Sequence, residues 1–502
     1  MKIYNSLTKK MEEFKIQDRN ESGDSKSETI NARLKTVVMY VCGLTPYDST
    51  HIGHARTYVA FDIIKRYLLK KGYNVYHIQN ITDVDDKIIK RCKETAADPK
   101  KLTKTNHDEA LELFDVLNII HADVYPKVTE HIPEIIVAIE KLIIKGAAYE
   151  TKTGVYYSVS KFKDYGALSG QKQNEIKAGA RVEVDESKHA PEDFAVWKKT
   201  NGELIEFDSP WGKGRPGWHI ECSAMAEKYA KGPLDIHGGA RDLIFPHHEN
   251  EIAQSESAFN HKFCNYWLHT GFLTVSGEKM SKSLGNFITL KEALSRFDPN
   301  AVRMFFVQTH YRSPIDYDED TINASSGSVE RLFNSLGLIE ESLSKKDKKD
   351  ETFQKESNES ILSFYKSMEK DFDTPNALAA IFNLVTISNT HVSKETVDRT
   401  QLEKIREEMK NMLWIFGLEE KKKGVTSKLG QLLLLAEDIK TNYGISIKES
   451  DKADEVLEGI TGAREELRKR KNYAASDKIR DTLGSMGISL EDSSKGIKKK
   501  IR

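Results

Sequence analysis

Residues 37–81 constrain the fold more than any other stretch of this chain. Residues 37–42, Val-Val-Met-Tyr-Val-Cys, form a compact apolar run rich in β-branched residues, the pattern of a buried strand. From 53 to 71 the apolar residues Tyr58, Phe61, Ile64, Tyr67 and Leu68 recur at helical spacing, and Gly72 stops the helix. Residues 73–81 read as a second strand. Strand, glycine-bearing turn, helix and strand open a parallel α/β sheet, and such sheets hold ligands at the carboxyl ends of their strands. Cys42, His51 and His54 lie at that end.

The other 450 or so residues must then build more than one core, because 502 residues exceed what a single core supports, and two to four domains are expected. A content of 38% hydrophobic residues with only 12 prolines describes a globular chain. No run approaches the roughly eighteen apolar residues that span a bilayer, and residues 1–13 lack the apolar core of a signal peptide, so a cytoplasmic, membrane-free protein is expected. Cys42, Cys92, Cys222 and Cys264 are too few and too scattered for a secreted disulfide framework, which leaves thiols or metal ligands. The formal net charge of −1 supplies no global field for a polyanion, so any nucleic acid must be held by local patches.

Residues 17–35 are polar with little to bury and read as an exposed loop. Helical periodicity returns at 109–120 and 132–145. Residues 149–209, with short β-like pieces at 154–159 and a turn-rich 161–170, look like an insertion between two halves of the sheet. The second half resumes near Gly217, with strands expected at 235–239 and 270–275. Beyond Tyr317 helices are expected at 328–344, 359–370, 374–392 and 401–416, with 345–354 a charged solvent loop. Residues 459–502 carry twelve Lys and Arg against six Asp and Glu, a surplus that can meet a phosphate backbone. The division that follows is 1–120 and 216–320 as the two halves of a Rossmann-like parallel-sheet domain, 121–215 as a connective insertion, 321–425 as a helical bundle and 426–502 as a basic helical segment.

Three stretches carry chemistry. His51-Ile-Gly-His54 sets two imidazoles on the first turn of a helix, where unpaired N–H groups favour an anion, and Gly53 permits close backbone approach, which suits a triphosphate. Gly277-Glu-Lys-Met-Ser-Lys-Ser-Leu-Gly285 is a basic loop whose Lys279 and Lys282 can neutralise charge building on phosphates. Phe245-Pro-His-His-Glu-Asn-Glu251 puts His247 and Glu251 one helical turn apart. With Cys222, from Gly217-Trp-His-Ile-Glu-Cys222, and Cys42 they form a reasonable four-ligand zinc set of two thiolates, an imidazole and a carboxylate. A zincin helix needs His-Glu-x-x-His, and Glu251 stands where the second His would be, so hydrolase chemistry is demoted.

The His-Ile-Gly-His and Lys-Met-Ser-Lys-Ser pair resembles the signatures of class I aminoacyl-tRNA synthetases. Tyr40-Val-Cys-Gly, Asn80-Ile-Thr-Asp-Val-Asp-Asp-Lys-Ile, Gly217-Trp-His-Ile-Glu-Cys-Ser-Ala-Met and Phe245-Pro-His-His-Glu-Asn-Glu narrow the resemblance to the cysteinyl-tRNA synthetase family, from about Lys2 to Leu418 and more loosely to the end. The resemblance implies an α/β catalytic domain followed by an all-α tRNA-binding region. It implies that one zinc per chain is held by Cys42, Cys222, His247 and Glu251, and that Thr82 and Trp218, with Cys42, shape the cysteine pocket. It further implies that Gly43, Thr45, Gly53, Gly239 and Asp242 lie about the ATP or adenylate, and that His51, His54, Lys279 and Lys282 act on its phosphates. ATP with Mg2+, L-cysteine and tRNA-Cys are the implied partners, and a monomer is expected ahead of a dimer.

Two departures stand out. Residues 17–35 exceed the family's usual link, and Cys-Gly-Leu-Thr-Pro-Tyr-Asp leans towards a paralogue, the mycothiol-pathway ligase that passes the cysteinyl adenylate to an amino sugar. Glu251 and the long helical, basic C-terminal region favour the synthetase. A non-catalytic tRNA-binding homologue is disfavoured by the intact phosphate-handling motifs.

Overall fold

The computed structural model describes residues 1–17, 35–171, 187–280, 286–420, 426–448, 450, 453–485, 488–493 and 496–501. Two compact units emerge, one of residues 1–293 and 299–418, the other of residues 294–298 and 419–502.

At the centre of the first unit lie four parallel strands: β1 (Thr36–Leu44), β2 (Asn74–Ile81), β3 (Leu234–Ala240) and β4 (Cys264–Thr270), in the order β4-β3-β1-β2. The β1 run is buried on both faces except at Gly43, as befits the middle of a parallel sheet. Helix α1 (Ile52–Lys70) makes the crossover from β1 to β2, and Gly72 ends it at φ +84°. These elements follow the sequence expectation to within a residue or two. The expected strand at 270–275 does not: the sheet strand is β4, ending at Thr270, and Leu273–Val275 joins a separate small sheet with Glu278–Lys279 and Ile315–Tyr317. Cys-Asn-Tyr-Trp-Leu-His-Thr mixes polar with aromatic residues, so hydropathy alone passes over it.

Between β2 and β3 the chain makes helices Asp86–Thr95, Pro99–Val116 and Ile132–Ile144, then an antiparallel sheet of Ala148–Glu150, Gly154–Tyr157, Phe194–Lys199 and Gly214–Pro216. The helix expected at 109–120 starts earlier, because Asp98 caps the Lys101 N–H and Pro99 opens the first turn, and it stops at Val116 before Asn118 turns to φ +54°. Helix α2 (Trp218–Ala230) returns the chain to β3, and α3 (Glu249–Phe259) links β3 to β4.

A bundle of α4 (Glu319–Ser342), α5 (Glu351–Met368), α6 (Thr374–Val392) and α7 (Arg399–Ile415) follows. Asp318, Asp350, Asp373 and Asp398 each accept the third backbone N–H of the helix they open. These caps explain why α4 and α5 begin eight or nine residues before apolar periodicity indicates. They also correct the expected solvent loop at 345–354, where Lys346–Asp347 pairs with Thr396–Val397 and α5 has begun by Glu351. Asp62 of α1 binds Arg66 and Arg303, and Arg303 reaches the Phe416 carbonyl, so the sheet domain and bundle share a buried polar joint.

The second unit holds helices Thr426–Tyr443, Ala453–Lys469 and Tyr473–Ser485 around Leu432, Ile439, Leu457, Ile460 and Leu483, with a hairpin of Ile488–Ser493 and Gly496–Ile501. The basic residues Lys498, Lys499 and Lys500 lie in the second strand of this hairpin, within the segment expected to be helical. Residues 18–34 of the expected loop fall outside the described residues. No helix among the described residues is long and apolar enough to cross a membrane.

Candidate functional site

Strand β1 delivers Cys42 to the carboxyl edge of the sheet, and its next residue can only be glycine. A Cβ on Gly43 would lie 1.5 Å from the Asn80 carbonyl oxygen, so the ends of β1 and β2 close together here. The Gly43 N–H donates to Asn80 Oδ1 at 2.8 Å, and Asn80 Nδ2 donates to Thr82 Oγ1 at 3.2 Å. Helix α2 brings Cys222 from one side, and the turn after β3 with the first turn of α3 brings His247, His248 and Glu251 from the other.

The result is a buried donor cluster. Cys42 Sγ lies 3.2 Å from His248 Nε2 and 3.8 Å from Glu251 Oε1; His247 Nε2 lies 2.7 Å from Glu251 Oε1 and 3.6 Å from Cys222 Sγ. Donor atoms of Cys42, His247, His248 and Glu251 lie within 4.8 Å of one another. All five side chains are at most 7% exposed. The four residues singled out in the sequence therefore converge, with His248 as a fifth donor that the sequence reading missed. It lies directly beside His247 in the Phe-Pro-His-His run, and sequence alone does not show which of two adjacent imidazoles turns inward.

The surroundings orient these donors. His237 Nε2 is 2.6 Å from Glu251 Oε2, with its Nδ1 2.9 Å from the Tyr40 carbonyl oxygen, which fixes it as a donor there and turns the other nitrogen to the carboxylate. His248 Nδ1 is 2.8 Å from His269 Nε2, and His219 Nδ1 is 2.9 Å from His247 Nδ1. Trp218 stacks on His247 with centroids 4.3 Å apart and stays 39% exposed, so it forms an outer wall of the cluster.

Electrostatics match the geometry. The hydrogen bond from Cys42 draws the Cys222 thiol down to about 6, while burial pushes Cys42 up. Burial opposes the charge on Glu251, yet His247 and then His237 outweigh it and hold the carboxyl well below the usual range. Burial pulls His247 down, but Glu251 more than compensates and the imidazole rises to about 10. A thiolate, a carboxylate and poised imidazoles in a closed space are a donor set that fits a borderline-soft divalent ion such as zinc.

The second half of the site is the start of α1. His51 is the N-cap: the His54 N–H donates to His51 Nδ1 at 3.3 Å, the His51 N–H donates to His54 Nδ1 at 3.4 Å, and the two rings stack at 3.5 Å. One first-turn N–H that the sequence left open to an anion is thus held by an imidazole. Burial pulls the His54 ring well below its ordinary value, with His51 and Lys87 adding to the effect. Met280 Cε comes within 3.6 Å of where a Gly53 Cβ would stand, so the start of the basic loop touches the glycine between the two histidines. The Lys279 backbone pairs with Thr274, and Lys282 lies outside the described residues. A Cβ on Gly239 would meet Leu243 Cδ1 at 2.8 Å and His248 Cε1 at 3.1 Å, and Asp242 sits in the short helix Arg241–Leu243 after β3. Thr45 follows β1, and Thr82, 3% exposed, follows β2.

Known proteins converge on the same assignment. Residues 28–327 match the family model for the tRNA synthetases class I (C) catalytic domain, and residues 363–420 match the DALR domain. The cysteine–tRNA ligase of Thermococcus onnurineus (strain NA1) is 46% identical over 505 residues, covering 99% of this chain and 98% of that protein. Those of Pyrococcus horikoshii and Methanococcus maripaludis (strain C7) are each 45% identical, covering 99% of this chain and 98% of theirs. In fold, Mycobacterium tuberculosis methionyl-tRNA synthetase in complex with methionyl-adenylate superposes at a TM-score of 0.59 and 15% identity over 76% of this chain and 90% of that one. A leucyl-tRNA synthetase complex from Agrobacterium radiobacter K84 gives 0.58 at 11% identity over 78% and 84%. A family model spanning most of the sheet domain, near-complete coverage by relatives and a donor cluster at the carboxyl edge of the sheet agree: the chain belongs to the class I cysteine–tRNA ligase family.

Proposed function

We propose that the protein activates L-cysteine with ATP, forming cysteinyl-adenylate and pyrophosphate, and transfers the cysteine to the 3′ end of tRNA-Cys. The observation that carries this reading is the buried convergence of Cys42, Cys222, His247 and Glu251 at the carboxyl end of β1, with the stacked His51 and His54 opening the helix that follows that strand. The substrate carboxylate is already ionised, so attack on the α-phosphate needs no general base; it needs positioning and stabilisation of phosphate charge. His51, His54, Lys279 and Lys282 are assigned to that charge, with Mg2+ accompanying the ATP, and Gly43, Thr45, Gly53, Gly239 and Asp242 to the adenylate. A side chain on Gly43 would collide with the Asn80 carbonyl, and one on Gly53 would press on the His51 ring, so both positions keep the backbone bare.

Cys42, Cys222, His247 and Glu251 would hold one zinc ion per chain, with His248 orienting Cys42 from 3.2 Å. Such an ion binds a thiolate far better than a neutral hydroxyl, which separates cysteine from near-isosteric serine. Thr82 and Trp218 are assigned to the walls of the cysteine pocket. The five segments 1–120, 121–215, 216–320, 321–425 and 426–502 are assigned as catalytic, connective, catalytic, bundle and basic tRNA-binding parts, in a cytoplasmic monomer.

The test is cysteine-dependent exchange of pyrophosphate into ATP by purified metal-loaded protein, followed by acceptor assays. Exchange with charging of tRNA-Cys supports the proposal. No exchange from well-folded protein, or transfer to an amino sugar in place of tRNA, refutes it.

A further inference from the structure

Cysteine brings three groups to a site: a thiol, a carboxylate and an ammonium. The proposed function occupies the first two, at the donor cluster and at the ATP, and leaves the ammonium without a counter-charge. A buried ammonium without one is costly.

Among the carboxylates around the cluster, most oxygens are already engaged. Glu251 faces His247 with one oxygen and His237 with the other. Asp83 accepts from the Thr129 N–H at 3.0 Å and from the Thr129 hydroxyl at 2.6 Å. Glu249 accepts the N–H groups of Gly166 and Ser169. Glu221 differs. It is 1% exposed, it sits in α2 immediately before Cys222, and its Oε2 has no hydrogen-bond partner. Leaving a buried carboxyl oxygen unpaired costs folding free energy, so such an atom points to a ligand.

Its neighbours fit that reading. The Thr82 hydroxyl is its hydrogen-bonding neighbour, while burial, and after it Cys222, Asp85 and Asp83, push its carboxyl well above the usual range, so a cation placed in this corner would stabilise the charged carboxylate. Thr82 Oγ1 already accepts from Asn80, so its own proton is free to turn towards Glu221. The Gly43, Asn80, Thr82 and Glu221 chain thereby joins the ends of β1, β2 and the start of α2, next to Cys42 at one end and Cys222 at the other. Trp218, three residues before Glu221, shares its face of α2 and stacks on His247.

We propose that Glu221 is the residue that receives the substrate's α-ammonium, with its unpartnered Oε2 accepting the N–H while Thr82 holds the other side of the carboxyl group. The inference rests on the cysteine-activating function proposed above. Glu221 then serves discrimination: a thiol acid without the amino group leaves the oxygen unpaired, and an amino acid satisfies it.

The experiment compares L-cysteine with mercaptopropionate, which is cysteine without its amino group, on wild-type protein and on Glu221→Gln and Glu221→Asp. Binding to metal-loaded protein is measured by calorimetry and pyrophosphate exchange by kcat/KM, with metal content and thermal unfolding recorded for each variant. Wild type should prefer cysteine strongly. Glu221→Gln should lower that preference about 10- to 100-fold, the scale of one charge-assisted hydrogen bond, with binding of mercaptopropionate almost unchanged, and Glu221→Asp should restore part of it. Equal losses for both ligands, or an unchanged ratio, would overturn the assignment and leave Glu221 a purely structural group. Absence of cysteine-dependent exchange in the wild type would instead strike at the underlying function.

Discussion

Asp62 offers a quantitative test of how the sheet domain is tied to the bundle. Its buried carboxylate accepts Arg66 Nε at 2.9 Å, Arg303 Nη2 at 2.5 Å and the Ile120 N–H at 2.9 Å. The three side chains are at most 3% exposed. Asp62→Asn keeps the shape and an acceptor for Ile120 but leaves two buried guanidiniums without their counter-charge. Breaking a buried pair in this way costs about 3–5 kcal/mol. The carbonyls of Phe416, Leu117, Trp414 and Asn118 still receive Arg303 and Arg66, which places the loss near the lower end, about 3 kcal/mol. The assay is guanidinium unfolding followed by circular dichroism and tryptophan fluorescence, with Trp414 reporting because the Arg66 guanidinium lies 5.2 Å from its ring. Glu369→Gln is the control: its pair with Lys71 is 39% exposed on both sides, so it should cost no more than about 1 kcal/mol. A loss below about 1 kcal/mol for Asp62→Asn, or one equal to the control, would refute the view that this joint holds the two parts together.

Three further outcomes are expected. Cys222→Ser should lower metal affinity by more than about 100-fold and abolish cysteine activation with it, as metal analysis and pyrophosphate exchange would report; full metal content with normal activity would contradict the ligand set. Lys282→Ala should reduce kcat for adenylate formation while the KM for cysteine stays within about twofold, and a pure affinity defect would remove Lys282 from the phosphate role. Burial, with Lys65 nearby, holds the His77 imidazole well below its ordinary value, so the unfolded chain takes up a proton near pH 6.5 that the folded state refuses. Its contribution to stability is therefore complete above that pH and is lost as pH falls. His77→Phe should flatten the decline between pH 6.5 and 5 by about 1.4 kcal/mol per pH unit, and an unchanged slope would show that another group carries it.

The legible parts of this chain were those in which local pattern and tertiary role coincide. The buried run of β1, the periodicity of α1 and the stop at Gly72 need only strand and helix physics. Starts of helices were less legible where a polar cap leads a polar first turn: Asp318, Asp350 and Asp98 mark the true beginnings, but caps are satisfied by backbone geometry that hydropathy does not record. Strand β4 was missed because its burial comes from its neighbours, and its own composition is mixed.

By itself, the sequence determined the parallel α/β core, the identity of the motif residues and the chemistry of the donor set, since thiols, imidazoles and carboxylates carry their reactivity wherever they are placed. Tertiary structure alone decided three things. It brought Cys42 against residues 180 to 209 positions away, it chose the inward turn of both His247 and His248, and it left one oxygen of Glu221 unpaired while pairing those of Glu251. Long-range closure and side-chain orientation depend on how β1, α2 and α3 meet at the edge of the sheet, and no local period in the sequence encodes that meeting.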